Sequence, residues 1–460
     1  MGLATMAKDY GTIRKTVNQY LSILRLVWPL ALGMVNNAVM QFVDRAYLAH
    51  DSMEALEAAL PAGMLMWIFA GFFQAVVGYS SVFVAQYHGA GDGPRCRASM
   101  RAAHMIAVVA GVLCLALVPL GDRLLSLSAP SASVLAREKS YFELLMLGSV
   151  FIYVLTAESA YFTGRGRTRI VFWVNLAGNA FNIALDPFLI FGWCGCPKLG
   201  ISGAAIATVA STALQWAVLA VAMRREWKGV AKAQGARQIA MRMLRFGVPA
   251  GCYNVLNILS FTIFVFVTAG VGELDLAGSN ACFTVNYLLF APMEGFALGA
   301  STLVAQAMGR GDPAAAALAA RRTTILGVGF VALMSLAVLA AAHPVLSLFV
   351  SDGLRCDPAA LARFHSLGLT LLLLMAAWQV FDATDVIVSG ALRGAGDTKF
   401  VMVWMFLGAF AFWLPLVFAV RSVRNTMPAL WATMVVFVAV MCAGNLYRWR
   451  RGRWRSIKVV

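Results

Sequence analysis

Twelve long runs of mostly apolar residues divide this 460-residue chain and restrict what it can fold into. A helix needs about 20 apolar residues to cross the hydrocarbon core of a bilayer. Hydrophobic residues make up 61% of the chain and charged residues 13%, and the mean hydropathy is +0.76. The sequence therefore predicts an all-α polytopic membrane protein with spans at 22–48, 57–87, 99–120, 141–163, 170–193, 201–223, 246–271, 280–308, 320–342, 364–391, 400–420 and 428–447.

Basic residues indicate how these spans are oriented. A net charge of +16 would suggest a nucleic-acid partner for a soluble protein, but most of the 37 Lys and Arg residues fall between apolar runs. Cytoplasmic segments carry the excess of basic residues in membrane proteins. We therefore expect a multi-pass protein of the inner (plasma) membrane, with both termini cytoplasmic and no nucleic-acid partner. The N-terminus lacks the features of a cleaved signal peptide, so the first span is expected to direct insertion.

The two halves of the chain repeat each other. SVFVAQYHGAGD at 81–92 aligns with STLVAQAMGRGD at 301–312, with 7 of 12 residues identical, and Pro29 corresponds to Pro249 at the same offset. Parallel repeats of this kind are typical of secondary transporters. The repeat predicts a cytoplasmic N-terminus (1–21), an N-lobe of six helices (22–223), a basic linker (224–245), a C-lobe of six helices (246–447) and a basic cytoplasmic tail (448–460).

One carboxylate lies inside the apolar stretch LAGNAFNIALDPFLIF, at 176–191. A charge near the middle of a bilayer costs about 3 kcal/mol or more, so Asp186 is interpreted as functional. Asn182 lies one helical turn earlier on the same face. Pro187 removes the backbone donor that would otherwise bind the carbonyl of Ile183. An amide, a carboxylate and a free carbonyl are therefore expected to converge.

Other predicted spans also contain acidic residues. Glu294 follows Pro292 closely, and its counterpart in the repeat is Gln74. Asp382 and Asp385 lie three residues apart on one helical face, and Gln379 continues that face. Two carboxylates so close in a medium of low dielectric constant should not both be ionised. Internal hydrogen bonding and helix capping are the alternatives to a functional role for the six acids in spans, which are Asp44, Glu158, Asp186, Glu294, Asp382 and Asp385.

Aromatic and methionine side chains in the spans suit a cavity for flat, lipophilic cations. The candidates considered with Gln74 are Tyr287, Trp378 and Met293. Lipid-facing or interhelical packing is the alternative for each of them. Cys194, Cys196 and Cys356 fall in loops, where we expect unpaired thiols because a metal site would need more ligands.

Six motifs, in their order and spacing, resemble the multidrug and toxic compound extrusion (MATE) family over nearly the whole chain. They are QFVDRAYLAH, VAQYHGAGD, GNAFNIALDPFLIFG, LGISGAAIATVAS, VAQAMGRGD and SGALRGAGDTKF. The resemblance implies a non-enzymatic export pump for small molecules that works by alternating access between two six-helix lobes. A proton or sodium gradient would drive it without a cofactor, and we expect a monomer embedded in lipid.

The same resemblance assigns roles to individual residues. The N-lobe cation site of the family corresponds to Asp44, Asn182 and Asp186, which could also hold sodium. The acidic position of helix 10 corresponds to Asp382. Asn257 stands where many relatives have an acid in helix 7, which makes the N-lobe the stronger candidate for coupling.

The alternatives to an antiporter are a flippase and an intramembrane enzyme. A flippase for lipid-linked sugars of the same broad superfamily would need cationic residues in its cavity, and the spans contain almost none. An intramembrane prenyltransferase-type enzyme could use Asp382 and Asp385 to hold magnesium and diphosphate, but a second aspartate-rich motif is missing. The coupling ion and the substrate are left open.

Overall fold

The computed structural model describes residues 2–127, 131–227, 235–350 and 352–460. It confirms the all-α class, since these ranges contain twelve helices long and apolar enough to cross a membrane. The first belongs to a helix that begins at Gly2. In chain order, the spans α1 to α12 are Val17–Asp51, Met53–Gly89, Gly93–Ala116, Ala132–Gly164, Thr168–Phe191, Ile201–Glu226, Ala236–Thr268, Glu273–Gly309, Pro313–Ala340, Pro358–Gly394, Thr398–Val423 and Met427–Arg451.

Several helices begin earlier than the apolar runs that predict them. Helices expected from 141 and 246 begin at Ala132 and Ala236. Ser131 caps α4 by accepting a hydrogen bond from the Val134 N–H at 3.4 Å. An apolar run shows only the part of a helix that lies in the hydrocarbon core. The backbone hydrogen bonds of the helix continue into polar turns on either side, so the helix is longer than the run.

The predicted linker at 224–245 is shorter than expected. The span α6 continues to Glu226, α7 begins at Ala236, and 228–234 lie outside the described residues. Glu226 forms salt bridges with Arg165 and Arg167, which connect the end of α6 to the turn between α4 and α5.

The predicted loop at 351–363 is also partly helical. Its first residue lies outside the described residues, and α10 already begins at Pro358. Asp357 caps this helix by accepting hydrogen bonds from the Ala359 and Ala360 N–H groups at 3.0 and 3.1 Å.

The repeated VAQ motifs end in the same local structure. Gly91 and Gly311 have φ angles of 76° and 72°, a left-handed conformation that favours glycine. The aspartates that follow accept hydrogen bonds from backbone N–H groups three residues later, Asp92 at 2.9 Å and Asp312 at 2.8 Å. The sequence repeat is therefore a structural repeat that ends one helix and begins the next.

The two lobes contact each other through equivalent helix pairs. Helix α1 of the N-lobe packs against α8, and α7, the counterpart of α1, packs against α2. Glycines allow the close approach: a methyl group on Gly295 would lie 2.4 Å from the Ala31 backbone, and one on Gly251 would lie 2.9 Å from Phe72. The interface therefore has an approximate twofold relation.

At one end of this interface, the last turns of α2 and α8 cross without space for side chains. A methyl group on Gly89 would lie 2.1 Å from the Gln306 carbonyl oxygen, and one on Gly309 would lie 2.0 Å from the Gln86 carbonyl oxygen. This end is the one that the basic residues predict to be cytoplasmic. We call the crossing the inner closure.

The side chains of the same two glutamines stabilise the inner closure with hydrogen bonds. Gln86 donates from Nε2 to the Gly394 carbonyl at 3.2 Å, and Gln306 donates from Nε2 to the Gly164 carbonyl at 2.8 Å. Each glutamine thus binds the end of a helix in the opposite lobe. The lobes are closed at this end by backbone contact and by equivalent hydrogen bonds.

Replacement of Gly89 by Ala should destabilise this arrangement, because the added methyl group meets backbone that cannot move independently. Overpacking of this kind costs about 1 to 3 kcal/mol. We expect a lower melting temperature for the detergent-purified variant. Gly93→Ala is the matched control, since nothing lies within 4 Å of an added methyl group there. Equal melting temperatures for the two variants would contradict the close crossing.

Candidate functional site

A row of polar side chains lies on one face of α5 and meets α1. Asn175, Asn179, Asn182 and Asp186 follow the helical period, so they face the same neighbour. Asn179 donates from Nδ2 to the side-chain oxygen of Asn37 at 2.8 Å. This bond satisfies the Asn179 amide in the interior of the N-lobe, where an unpaired amide would be costly.

Asn182 connects three helices at the centre of this row. Its side chain is fully buried. With the amide oriented to satisfy its surroundings, Nδ2 donates to Asp44 Oδ1 at 3.0 Å and the oxygen accepts from the Thr208 N–H at 3.3 Å. Asn182 therefore holds α1 and α6 against α5.

Asp186 is the exception in the row. It is completely buried, and neither carboxylate oxygen accepts a hydrogen bond from a described residue. Its nearest charged neighbour is the carboxylate of Asp44, with which it interacts electrostatically. Pro187 follows within the helix and leaves the Ile183 carbonyl without its usual donor. Two carboxylates and an amide thus share one site, in which Arg45 interacts electrostatically with Asp44 and no described base forms a salt bridge with Asp186.

A cavity of about 470 Å³ opens beside this site. It is formed within the N-lobe by α1, α2, α4, α5 and α6, and Leu298 of α8 is its one described lining residue from the C-lobe. Asp44 and Arg45 line the cavity, whereas Asp186 lies behind Asp44. Asp44 is therefore placed between the cavity and the more deeply buried carboxylate.

Amide and hydroxyl groups dominate the polar part of the cavity wall. Gln74 lines it and donates to Thr156 Oγ1 at 3.4 Å. Trp67 and Met64 supply apolar surface, and both side chains are exposed. The other polar lining residues include Asn37, Gln41, Tyr141, Ser159, Asn175, Asn179, Thr212 and Gln215.

Three candidates for the cavity lie elsewhere. Met293 and Trp378 are buried in packed hydrophobic clusters, and Tyr287 is exposed on α8 outside the cavity wall. Aromatic composition alone does not distinguish a cavity wall from interhelical packing, and a role for these three residues in binding substrate stays a prediction. Glu158 also lies away from the cavity wall, with one carboxylate oxygen 3.6 Å from Nε2 of His104.

The acidic residues of the C-lobe form a separate cluster. Asp385 accepts a hydrogen bond from Asn445 Nδ2 of α12 at 2.7 Å. Asp382 interacts electrostatically with Asp385 and with Glu294 of α8. Asp385 therefore has an amide donor, whereas the polar partner of Asp186 is another carboxyl group, that of Asp44.

Gln379 precedes Asp382 by one turn of α10 and has a polar partner of its own. Gln379 donates from Nε2 to Asn286 Oδ1 at 2.8 Å, which makes it part of a pair between α10 and α8. Asn257, at the position of the missing acid, is half-buried in α7. The loop thiols Cys194, Cys196 and Cys356 are unpaired.

The sequence contained a signal for the residues that the predictions missed. Asn175 and Asn179 share the helical face of Asn182, and Asn37 lies two turns before Asp44. A search for polar residues at helical spacing from each buried acid would have found them. Thr208 and Asn445 could not be found in this way, because they lie on other helices than the acidic residues and approach them only in the folded structure.

Comparisons with known proteins were made for the whole chain. The MatE family profile matches residues 29–188 and 249–419. The chain is 26% identical to the "Probable multidrug resistance protein NorM" of Thermotoga maritima, over 94% of this chain and 93% of that protein. It is 27% identical to the protein of that name in Rhodopseudomonas palustris, over 94% of this chain and 92% of the relative.

A solved structure has the same fold. The structure described as "Crystal structure of MATE in the straight conformation" superposes with a TM-score of 0.81. The match covers 95% of this chain and 97% of the other, at 19% sequence identity.

The missing hydrogen bonds of Asp186 generate a prediction about stability. We expect Asp186→Asn to raise the free energy of unfolding by about 1 to 3 kcal/mol, because it removes a buried carboxylate that has no donor. Asp397→Asn is the matched comparison, since Asp397 accepts hydrogen bonds from Arg448 at 2.7 and 3.2 Å and its loss should destabilise the fold. Thermal unfolding in detergent measures both. If Asp186→Asn destabilised the protein as much as Asp397→Asn, the carboxylate would have a structural role.

Proposed function

The chain belongs to the MatE family, and from that premise we propose that it is a secondary active antiporter of the bacterial inner membrane. It exports lipophilic, cationic small molecules in exchange for protons or sodium, by alternating access. The observation that carries this proposal is the placement of Asp44 on the cavity wall with the buried Asp186 behind it. Both termini are assigned to the cytoplasm because the basic residues concentrate on that side.

The coupling step follows from the charge of this pair. A positively charged substrate in the cavity is attracted to Asp44 when the pair carries negative charge. A proton that enters from the outer side neutralises one carboxylate and weakens this attraction. Substrate and coupling cation therefore compete for the same charge, so that each promotes release of the other.

Sodium would use the same atoms in a different arrangement. Carboxylate and amide oxygens are suitable ligands for a hard cation. The Asn182 oxygen would then have to face Asp44, whereas its Nδ2 faces Asp44 in the orientation that satisfies its hydrogen bonds. Proton loading needs no such reorientation, which makes the proton the simpler coupling ion for this geometry.

Helix α1 connects the coupling site to the interface between the lobes. One face of α1 meets α5, and another packs against α8 of the C-lobe. Pro29 and Pro187 each interrupt the hydrogen bonding of their helices, so α1 and α5 can bend there. Neutralisation of Asp44 changes the contact between α1 and α5, and α1 transmits the change to the other lobe.

The composition of the cavity wall favours a substrate that is cationic and partly apolar. Asp44 is the one acid and Arg45 the one base among its described lining residues. A flippase for lipid-linked sugars would need several cations to bind diphosphate, so this wall does not favour that alternative. The similar proteins from Thermotoga maritima and Rhodopseudomonas palustris are named as multidrug resistance proteins, which supports small-molecule export.

Efflux of a fluorescent lipophilic cation from proteoliposomes tests the proposal. We expect Asp44→Asn and Asp186→Asn each to reduce gradient-driven efflux at least about tenfold, because each removes a carboxylate whose charge the substrate and the coupling cation compete for, and coupling of this kind is typically 5- to 150-fold. Asp51→Asn is a matched control at the end of α1. The Asp51 carboxylate binds Lys198 at 2.8 Å and does not belong to the Asp44–Asp186 pair. Proton and sodium gradients are imposed separately to identify the ion.

Efflux at the wild-type rate by both variants of the pair would contradict the coupling site. Loss of efflux in Asp51→Asn as well would show that any carboxylate on α1 is required, and the assignment to the pair would then fail. A wild-type protein that exports the dye under neither gradient would contradict cation-driven antiport itself.

A further inference from the structure

A second pocket lies at the inner end of the molecule, separate from the transport cavity. It has a volume of about 780 Å³ and is formed by the beginning of α1 and the turn that leads into α5. Three arginines line it together with a serine and two apolar residues; these are Arg25, Arg167, Arg169, Ser22, Leu26 and Ile170. The proposed antiport mechanism does not use any of these residues.

The positive charge of this pocket is largely uncompensated. None of its described lining residues is acidic. Arg167 forms a salt bridge with Glu226, but neither Arg25 nor Arg169 has a carboxylate partner among the residues that the structure describes. Both side chains are exposed. Two guanidinium groups therefore remain available to an anion that enters the pocket.

Another basic pocket on the molecule provides a contrast. It is lined by Arg242, Arg245, Lys399 and Lys458, but Asp397 also belongs to its wall. Asp397 brings a negative charge into that wall, where it also binds Arg448. The pocket between α1 and α5 differs from it in having no acidic residue among its described lining residues.

The aromatic side chains beside this pocket are of the kind that lies at the level of the lipid headgroups. The Arg169 guanidinium lies over the Trp28 ring, 6.0 Å from its centre. Trp28 packs edge-on against Phe172 of α5. The next residue of that helix, Trp173, is 60% exposed. Tryptophans with one exposed face are typical of the boundary between hydrocarbon and headgroups. The pocket therefore opens where phosphate groups of lipids are concentrated.

From these observations we propose that the pocket between α1 and α5 binds the phosphate group of an anionic phospholipid. Arg25 and Arg169 contact the phosphate, since guanidinium groups match phosphate oxygens in a bidentate geometry. The acyl chains extend along the apolar surface beside Trp173. Basic pockets between helices on the cytoplasmic side are suited to such headgroups.

This site borders the inner closure. Thr168, next to Arg169, donates from Oγ1 to the Leu26 carbonyl at 2.9 Å and holds the two walls of the pocket together. Gln306 of the opposite lobe donates to Gly164 at the end of α4, in the turn that forms the pocket. A bound headgroup stabilises this turn, and it therefore favours the state in which the inner end is closed.

Titration of the detergent-purified protein with dioleoylphosphatidylglycerol tests the proposal, with thermal unfolding as the readout. We expect a saturable increase in melting temperature that phosphatidylcholine does not produce. The double variant Arg25→Gln/Arg169→Gln should need roughly ten- to thirtyfold more anionic lipid for half of the effect. Arg25→Lys/Arg169→Lys should retain most of it, because the charges remain.

The controls separate this site from general attraction to a basic surface. Arg95→Gln/Arg450→Gln removes two exposed charges from the same predicted side but leaves the pocket intact, and it should respond like the wild type. An equal loss in this control, or an unchanged response of Arg25→Gln/Arg169→Gln, would overturn the proposal. Inorganic phosphate is titrated in parallel, and an equal stabilisation by phosphate alone would identify a site for a soluble anion instead of a lipid.

Discussion

A carboxylate without hydrogen-bond donors, buried among apolar helices, is the constraint on which the N-lobe depends. Neighbouring polar groups of the row on α5 have partners: Asn179 binds Asn37, and Asn182 binds Asp44 and the backbone of α6. Asp186 accepts no hydrogen bond from a donor among the described residues, and it faces the carboxyl group of Asp44. Burial of a charge without compensation is so unfavourable that the group must be neutralised by a cation. The same property that destabilises the site is the basis of the proposed coupling to protons or sodium.

Helix α1 lies between the Asp44–Asp186 site and the other lobe. Because α1 contacts α5 in its own lobe and α8 in the other, it is the helix that would carry a change at Asp44 to the interface between the lobes in the proposed mechanism. At the inner end, Gly89 and Gly309 allow the backbones of the two lobes to touch, and Gln86 and Gln306 fasten them. This contact must separate if the transporter is to open inward. Weak, equivalent hydrogen bonds to helix ends are easier to release than a packed apolar interface.

The sequence predicts much of this architecture because lipid allows few solutions. Apolar runs long enough to span a bilayer predict all twelve helices, and the repeat of SVFVAQYHGAGD predicts two related lobes. Asp186, Asn182 and Pro187 are recognisable because a charge is rare in such a run. Other contacts cannot be read from one helix at a time. Thr208 and Asn445 reach the acids only through tertiary packing, and Trp378 has the composition of a cavity residue but packs against Trp431 in the interior.

Equilibrium binding of a fluorescent lipophilic cation to the detergent-purified protein, over a range of pH and sodium concentration, tests the competition at the Asp44–Asp186 pair most directly. We expect its affinity for the wild type to fall as the coupling cation is raised, and this dependence to disappear in Asp186→Asn. An affinity independent of both cations in the wild type, or the same dependence in Asp186→Asn, would contradict a coupling role for the pair.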